Sequence, residues 1–297
     1  MQLGETRIDD TFAEAFRMRY ARVIVTAHDE QWLNAAVTAA TGYASSIIAC
    51  DAEAGLERRL TPDETPDGRV GAAMLFFGFS ADGLAQALAS RTGQCLMTCA
   101  TTAVYDGLPD AVERIPLGRH LRFFGDGHQK SKLLAGRRYW RIPVMDGEFL
   151  VEESLGVEKG VGGGNFVIQS ATLEAALAAA RRAVEAGADT AGVITPFPGG
   201  VARSGSKVGS RYKALRASTA DSFCPTLRGK VTTQLHPDAH YALEVVLDGV
   251  DEQAVVSAMA AGIRAAVGNG IVAISAGNYG GKLGKFHFRL RELLERH

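Results

Sequence analysis

A chain of 297 residues, 46% hydrophobic and 22% charged, is long enough for one large domain or two lobes and has a globular balance. Its 32 Lys and Arg against 33 Asp and Glu leave a formal net charge of −1, which excludes a general nucleic-acid binder and confines anion recognition to local clusters. Cys50, Cys95, Cys99 and Cys224 lack the second pair or nearby His of a zinc set and read as free thiols in a reducing cytoplasm; no apolar run approaches a signal sequence or the roughly 20 residues of a membrane span.

Residues 10–19 read as a short amphipathic opening of one or two helical turns. Residues 22–27, Arg-Val-Ile-Val-Thr-Ala, are a β-branched run of strand length. Asp29 is placed to cap a helix over 30–41 that ends at Gly42. A second strand is expected at 45–50, followed by a polar excursion over 51–69 with Pro62, Pro66 and the turn Asp67-Gly68. Residues 70–79 read as a third strand, Ser80 caps a helix over 81–92, and 94–101 reads as a fourth strand. The middle, 106–147, is punctuated by glycine and proline, with strands expected near 121–124 and 138–143.

The second half repeats this order. A strand at 165–169 leads to Thr172, which caps an alanine-rich helix over 173–186 closed by Gly187. Residues 190–194 are strand-like, 241–247 form a strand, 251–262 a helix continuing to about Val267, and 271–275 and 286–290 the last strands. The expected class is therefore α+β: two ferredoxin-like (split βαβ) lobes from an internal duplication, forming an α/β sandwich. Residues 1–147 would be the N-terminal lobe with an inserted arm, and 148–297 the C-terminal lobe.

Three glycine-rich stretches stand out: 160–166 (Gly-Val-Gly-Gly-Gly-Asn-Phe), 196–209 and 274–285. Each is either a plain connection or a backbone surface that lets a ligand approach closely. The last interleaves Gly277, Gly280, Gly281 and Gly284 with Ser275, Asn278, Tyr279 and Lys282. From Gly200 the middle one runs Gly-x-x-x-x-Gly-Ser-Lys, with Ser206 before Lys207. A Walker loop needs the lysine directly after the glycine, so nucleotide hydrolysis is rejected. What survives is a Gly/Ser loop with Arg203, Lys207, Arg211 and Lys213 close by, which is either a carboxylate or phosphate holder or a solvated charge run.

Glu244 is the most informative single residue. Alternation puts Tyr241, Leu243, Val245 and Leu247 on one strand face and Ala242, Glu244 and Val246 on the other. Its carboxylate is either solvent-facing or held in a partly dry cleft, where its pKa would rise toward neutrality. The histidines lack metal-site spacings, and neither a nucleophile elbow nor a dinucleotide fingerprint is present.

Taken together, Pro-Phe-Pro-Gly-Gly (196–200), Ser-Lys-Val-Gly-Ser (206–210), Ser-Ala-Gly-Asn-Tyr-Gly-Gly-Lys-Leu-Gly (275–284), Thr-Pro-Asp-Gly-Arg (65–69), Phe-Phe-Gly-Asp-Gly (123–127) and the opening Asp-Asp-Thr-Phe-Ala-Glu-Ala-Phe (9–16) resemble the formylmethanofuran:tetrahydromethanopterin formyltransferase family over essentially the whole chain. The resemblance implies an enzyme with no prosthetic group, commonly a homotetramer. It would move a formyl group between the primary amine of methanofuran and N5 of tetrahydromethanopterin, its two co-substrates. Alanine- and arginine-rich usage suggests the bacterial methylotroph branch of one-carbon metabolism and formaldehyde oxidation, in which a hydrolase complex releases formate. Glu244 matches the family's strand carboxylate and is the expected acid/base group. Asn278 and the amides of 277–281 are expected at the oxyanion and pterin, and Arg203, Ser206 and Lys207 at an anionic coenzyme tail. Ser275, Gly277, Gly280, Gly281, Lys282 and Asn165 complete the expected substrate-binding set. The competing readings are a non-catalytic coenzyme-binding scaffold subunit of a hydrolase complex and an unrelated anion-binding module.

Overall fold

Asp29 opens the first helix by accepting from the backbone N–H groups of Gln31 and Trp32, at 3.0 and 3.2 Å, in a computed structural model that describes residues 1–296. His297 lies outside the described residues. This helix, α1 (Glu30–Thr41), buries Leu33, Ala36, Val37 and Ala40. Its far end does not use a left-handed glycine, because Gly42 has φ −64°. The buried guanidinium of Arg91 instead donates to the carbonyls of Ala40, Gly42 and Tyr43 at 2.7 Å each, satisfying acceptors that the helix leaves open.

The chain divides into two compact units, Met18–Gly160, and Met1–Arg17 together with the residues from Val161 onward. In the first, the strand β1 (Phe12–Thr26) contributes its later residues, followed by α1, β2 (Glu53–Leu60), β3 (Gly71–Gly78), α2 (Ala81–Arg91) and β4 (Ala103–Asp106). Hydrogen bonding gives the antiparallel order β2-β3-β1-β4. Two further strands, β5 (Arg137–Val144) and β6 (Gly147–Glu152), extend the β4 edge, with β6 parallel to β4. Val23, Val25, Met74 and Phe76 meet Leu33, Leu84 and Leu88 of the helices in one apolar layer.

The second unit repeats the plan with β7 (Ser154–Ser170), α3 (Leu173–Ala188), the short β8 (Val193–Ile194) and β9 (Val201–Ala202), β10 (Tyr241–Gly249), α4 (Glu252–Ala266) and β11 (Ile271–Ser275). β8 and β9 pair in turn along one edge of β10, β7 pairs with its other edge, and β11 pairs with β7, all antiparallel. The N-terminal strand Thr6–Ile8 lies parallel beyond β11, while β12 (Phe286–Arg289) pairs with Phe12, Ala13, Glu14 and Ala15. Thr172 and Asp251 cap α3 and α4. The helices cover one sheet face, where Phe166, Ile168, Val245 and Leu247 meet Ala179, Ala183, Val255 and Met259. Gly262 permits this contact, because a β-carbon there would stand 2.9 Å from the Phe166 ring.

Several expected elements are corrected. Residues 10–19 are not helical: Phe12-Ala-Glu-Ala-Phe alternates with period two and opens β1. No strand forms at 45–50. The strand lies at Glu53–Leu60 inside the expected polar excursion, where an edge position tolerates Arg58 and Arg59. Residues 94–101 carry on from α2 as a π-helical turn, Thr92–Leu96, and the strand follows at Ala103–Asp106. Residues 121–124 fall in short helical turns. The 160–166 stretch is no loop but part of β7, bulged between Val161 and Gly164, where a β-carbon on Gly164 would meet Val255 at 2.4 Å.

Candidate functional site

Glu244 sits at the middle of β10, opposite Ala202 of β9 on one side and Val167 of β7 on the other. The alternation holds: Val245 and Leu247 enter the core beneath the helices, so Ala242, Glu244 and Val246 occupy the opposite face. Two glycines make room for the carboxylate. A β-carbon on Gly205 would stand 2.8 Å from Glu244 Oε2, and one on Gly277 would stand 3.3 Å from Oε1. Glu244 is half-buried, and no hydrogen bond or ion pair is formed by its carboxylate among the described residues. Burial without compensation pushes its pKa up to about 7.

Asn165 fixes one wall of this site. It is buried, two residues before Val167 on β7, and therefore on the Glu244 face of the sheet. Its Oδ1 accepts from Gly277 N–H at 2.6 Å, while its Nδ2 donates to the carbonyls of Gly277 and Gly163 at 3.1 Å each. This two-way clasp holds the chain where it leaves β11. Ser275 lies across Val167 from Glu244, so a small group lying over Val167 would have a carboxyl on one side and a hydroxyl on the other.

The glycine loop after β11 is organised around a residue that sequence reading passed over. Glu14, 1% exposed, accepts through Oε2 from Tyr279 and Gly281 N–H at 2.7 and 2.9 Å, and through Oε1 from Leu283 and Gly284 N–H at 2.5 Å each. Burial alone would raise the pKa of this carboxyl, but the four N–H donors outweigh it and hold the pKa below the usual carboxylate value. Gly280 and Gly281, at φ +71° and +74°, supply the left-handed turn that aims these amides inward. The anion cradled there is thus the protein's own. Asn278 is also engaged: Oδ1 accepts from Gly280 N–H, and Nδ2 donates to Thr11 Oγ1 and the Phe12 carbonyl at 3.3 and 3.2 Å.

The structure therefore gathers Glu244, Asn165, Ser275 and Gly277, and adds Gly205, which no sequence signal separated from its glycine-rich surroundings. Arg203 and Ser206 are exposed and flank Gly205 in the chain. Lys207 lies on the ribbon Ser206–Val208, paired with Ala217–Thr219, and its ammonium binds Asp221. Lys282 is exposed on the same loop. Among the described residues no cluster of three or more His, Cys, Asp or Glu is arranged for a metal ion.

Residues 1–144 match the family described as formylmethanofuran-tetrahydromethanopterin formyltransferase, and residues 147–293 match its proximal lobe. The chain is 55% identical to the formylmethanofuran–tetrahydromethanopterin formyltransferase of Methylococcus capsulatus, covering 99% of this chain and 100% of that one. Its fold superposes with a TM-score of 0.92 on the enzyme from Methanosarcina barkeri, at 46% identity over 99% and 100% of the two chains. The TM-score is 0.95 with a chain of the formyltransferase/hydrolase complex from Methylorubrum extorquens in complex with methylofuran, also 46% identical over 99% and 98% of the two chains.

Proposed function

This chain belongs to the formylmethanofuran–tetrahydromethanopterin formyltransferase family, and we propose that it transfers a formyl group between methanofuran and N5 of tetrahydromethanopterin on the face of the sheet that carries Glu244. The observation that carries this reading is a half-buried carboxyl with a pKa of about 7, seated between two glycines beside a clasped asparagine.

In the transfer, the acceptor amine attacks the formyl carbon and a C–N bond forms. The carbonyl becomes an oxyanion and the attacking nitrogen becomes acidic. Collapse breaks the C–N bond to the donor once that nitrogen has gained a proton. A single group that is half protonated near neutrality serves both needs, and Glu244 has that property. Ser275 supplies a hydroxyl on the same face, across Val167, for the oxyanion. Asn165 and Gly277 shape the wall. Arg203, Ser206 and Lys207, with Lys282, offer donors to the coenzyme tails. Asn278 and the amides of Tyr279, Gly281, Leu283 and Gly284 act one step removed, holding the loop through Thr11 and Glu14.

Each unit is read as a ferredoxin-like lobe, and the pair as a duplication. In support, both carry strand-helix-strand, strand-helix-strand with the second strand at one edge and the third and first inside. Association with hydrolase subunits is supported by the Methylorubrum extorquens relative, a chain of a formyltransferase/hydrolase complex; assembly as a homotetramer in the cytoplasm is proposed on the family resemblance alone. Among the described residues no helix is long and apolar enough to cross a membrane. The deciding experiment is an assay of the purified chain with formylmethanofuran and tetrahydromethanopterin. Formyltetrahydromethanopterin should form, and binding of both coenzymes without transfer would instead indicate a scaffold subunit.

A further inference from the structure

Asn165, Val167 and Gln169 alternate along β7, and the β7–β10 register runs unbroken from Gly164 to Ser170. Gln169 is paired with Ala242 where Val167 is paired with Glu244, so it shares the Glu244 face of the sheet, one diagonal step along. Its neighbours across both adjoining strands are the small side chains of Ala242 and Ala273. Gln169 is 0% exposed. Its Oε1 accepts from the backbone N–H of His236 at 2.7 Å. That bond settles the orientation of the amide, because a backbone N–H can only donate and the group facing it must be the oxygen. The other end is therefore the NH2, and Nε2 has no partner among the described residues. A buried amide donor left unpaired costs free energy comparable to a lost hydrogen bond, and a fold keeps one mainly where something else supplies the acceptor.

We infer that Gln169 is a substrate-contacting residue whose Nε2 donates to an uncharged carbonyl or ring acceptor of the coenzyme bound over Val167. This rests on the formyl-transfer reading and extends it. Glu244 manages protons at the reacting centre, whereas Gln169 reads a neutral acceptor about 7 Å away along the same face. It supplies specificity without adding a charge that would disturb the carboxyl. Pterin and furan coenzymes both carry such acceptors, and separate binding measurements tell them apart.

The informative variant is Gln169→Glu. A carboxyl at 169 keeps an acceptor for His236 N–H at every pH, so the 231–240 segment stays held. Protonated, it also keeps a donor; ionised, it has none. The titratable groups around the position are Glu244 and Tyr241 on β10, and His236, Asp238 and His240 on the covering segment. All are present in wild type too, and repeating the comparison in a Glu244→Gln background removes the nearby carboxyl that a charge at 169 would also shift.

Dissociation constants for methanofuran and tetrahydromethanopterin would be measured separately for both proteins at pH 5.5 and 8.5. The expected result is a Kd for one coenzyme raised about 10- to 100-fold at pH 8.5, with the ratio falling toward one at pH 5.5. Equal ratios at both pH values, for both coenzymes, would overturn the assignment and make Gln169 merely a clamp for His236. Wild-type turnover, measured alongside, separates this failure from that of the formyl-transfer reading. Active wild type with a pH-independent variant sinks only the role of Gln169.

Discussion

Glu244 Oε2 occupies the space that a side chain on Gly205 would need: a β-carbon at 205 would lie 2.8 Å from it. A glycine in a loop and an acid on a strand, far apart in sequence, therefore make one feature. The atom that would clash is the end of a flexible side chain, so Gly205→Ala should leave the fold intact and move the carboxyl instead. Melting should change by the equivalent of less than about 1 kcal/mol, whereas turnover should fall roughly 10- to 100-fold, since small misplacements of a reacting group are expensive. Parallel thermal melts and initial rates check this. A variant that melts early and retains specific activity contradicts it.

Glu244→Gln should lower turnover by about 10²- to 10⁴-fold while leaving coenzyme binding in place. Its effect on stability has a definite sign. The folded-state pKa, about 7, lies above the ordinary value of 4.5, so the favourable contribution of the protonated carboxyl is complete below pH 4.5 and is lost as pH rises through 7. The glutamine carries no such dependence. At pH 8.5 the variant should be more stable than wild type by about 2 kcal/mol, allowing for partial solvent exposure, and the difference should vanish near pH 4.5. Denaturant melts across that range measure it.

Glu14→Gln tests the closed loop. The amide keeps one acceptor oxygen where the carboxylate uses two, and it turns an N–H2 toward other N–H groups. A loss of about 2–4 kcal/mol is expected at neutral pH. Because the folded-state pKa of Glu14 is depressed below 4.5, its contribution is present above that value and fades as pH falls through the folded-state pKa. The gap between variant and wild type should accordingly narrow in acid. A gap that stays constant down to pH 3 would show that the charge is not what holds the loop.

Asn165→Asp preserves the acceptor for Gly277 N–H and removes the donor to the two carbonyls. It also places a second carboxylate against the glycine that borders Glu244. Like charge disfavours ionisation, so the acid limb of the pH–rate profile should move toward alkaline pH by about one unit. An unmoved limb with reduced kcat would mean that Asn165 acts only through the position of Gly277.

Much of this was legible along the chain because it is local. Helix starts follow from Asp29, Ser80 and Thr172, whose short side chains cap the next turn wherever an apolar period begins. The two faces of β10 follow from alternation alone, but only the fold shows that the Glu244 face is partly closed off from solvent. The misreadings share a cause as well. Gln94–Thr101 and the Ile47-Ile48 turn have strand-like composition but no strand partner, whereas Glu53–Leu60 has a charged composition and the Gly71–Gly78 strand beside it.

Sequence by itself determined three helix caps, the strand alternation and, through its glycine motifs, the family. Tertiary structure alone decided which carboxylate those glycines serve. Glu14 and the 279–284 amides, Asn165 and Gly277, and Gly205 and Glu244 are each separated by tens to hundreds of residues. A loop amide pairs with whatever acceptor the fold carries to it, and no local propensity encodes that meeting.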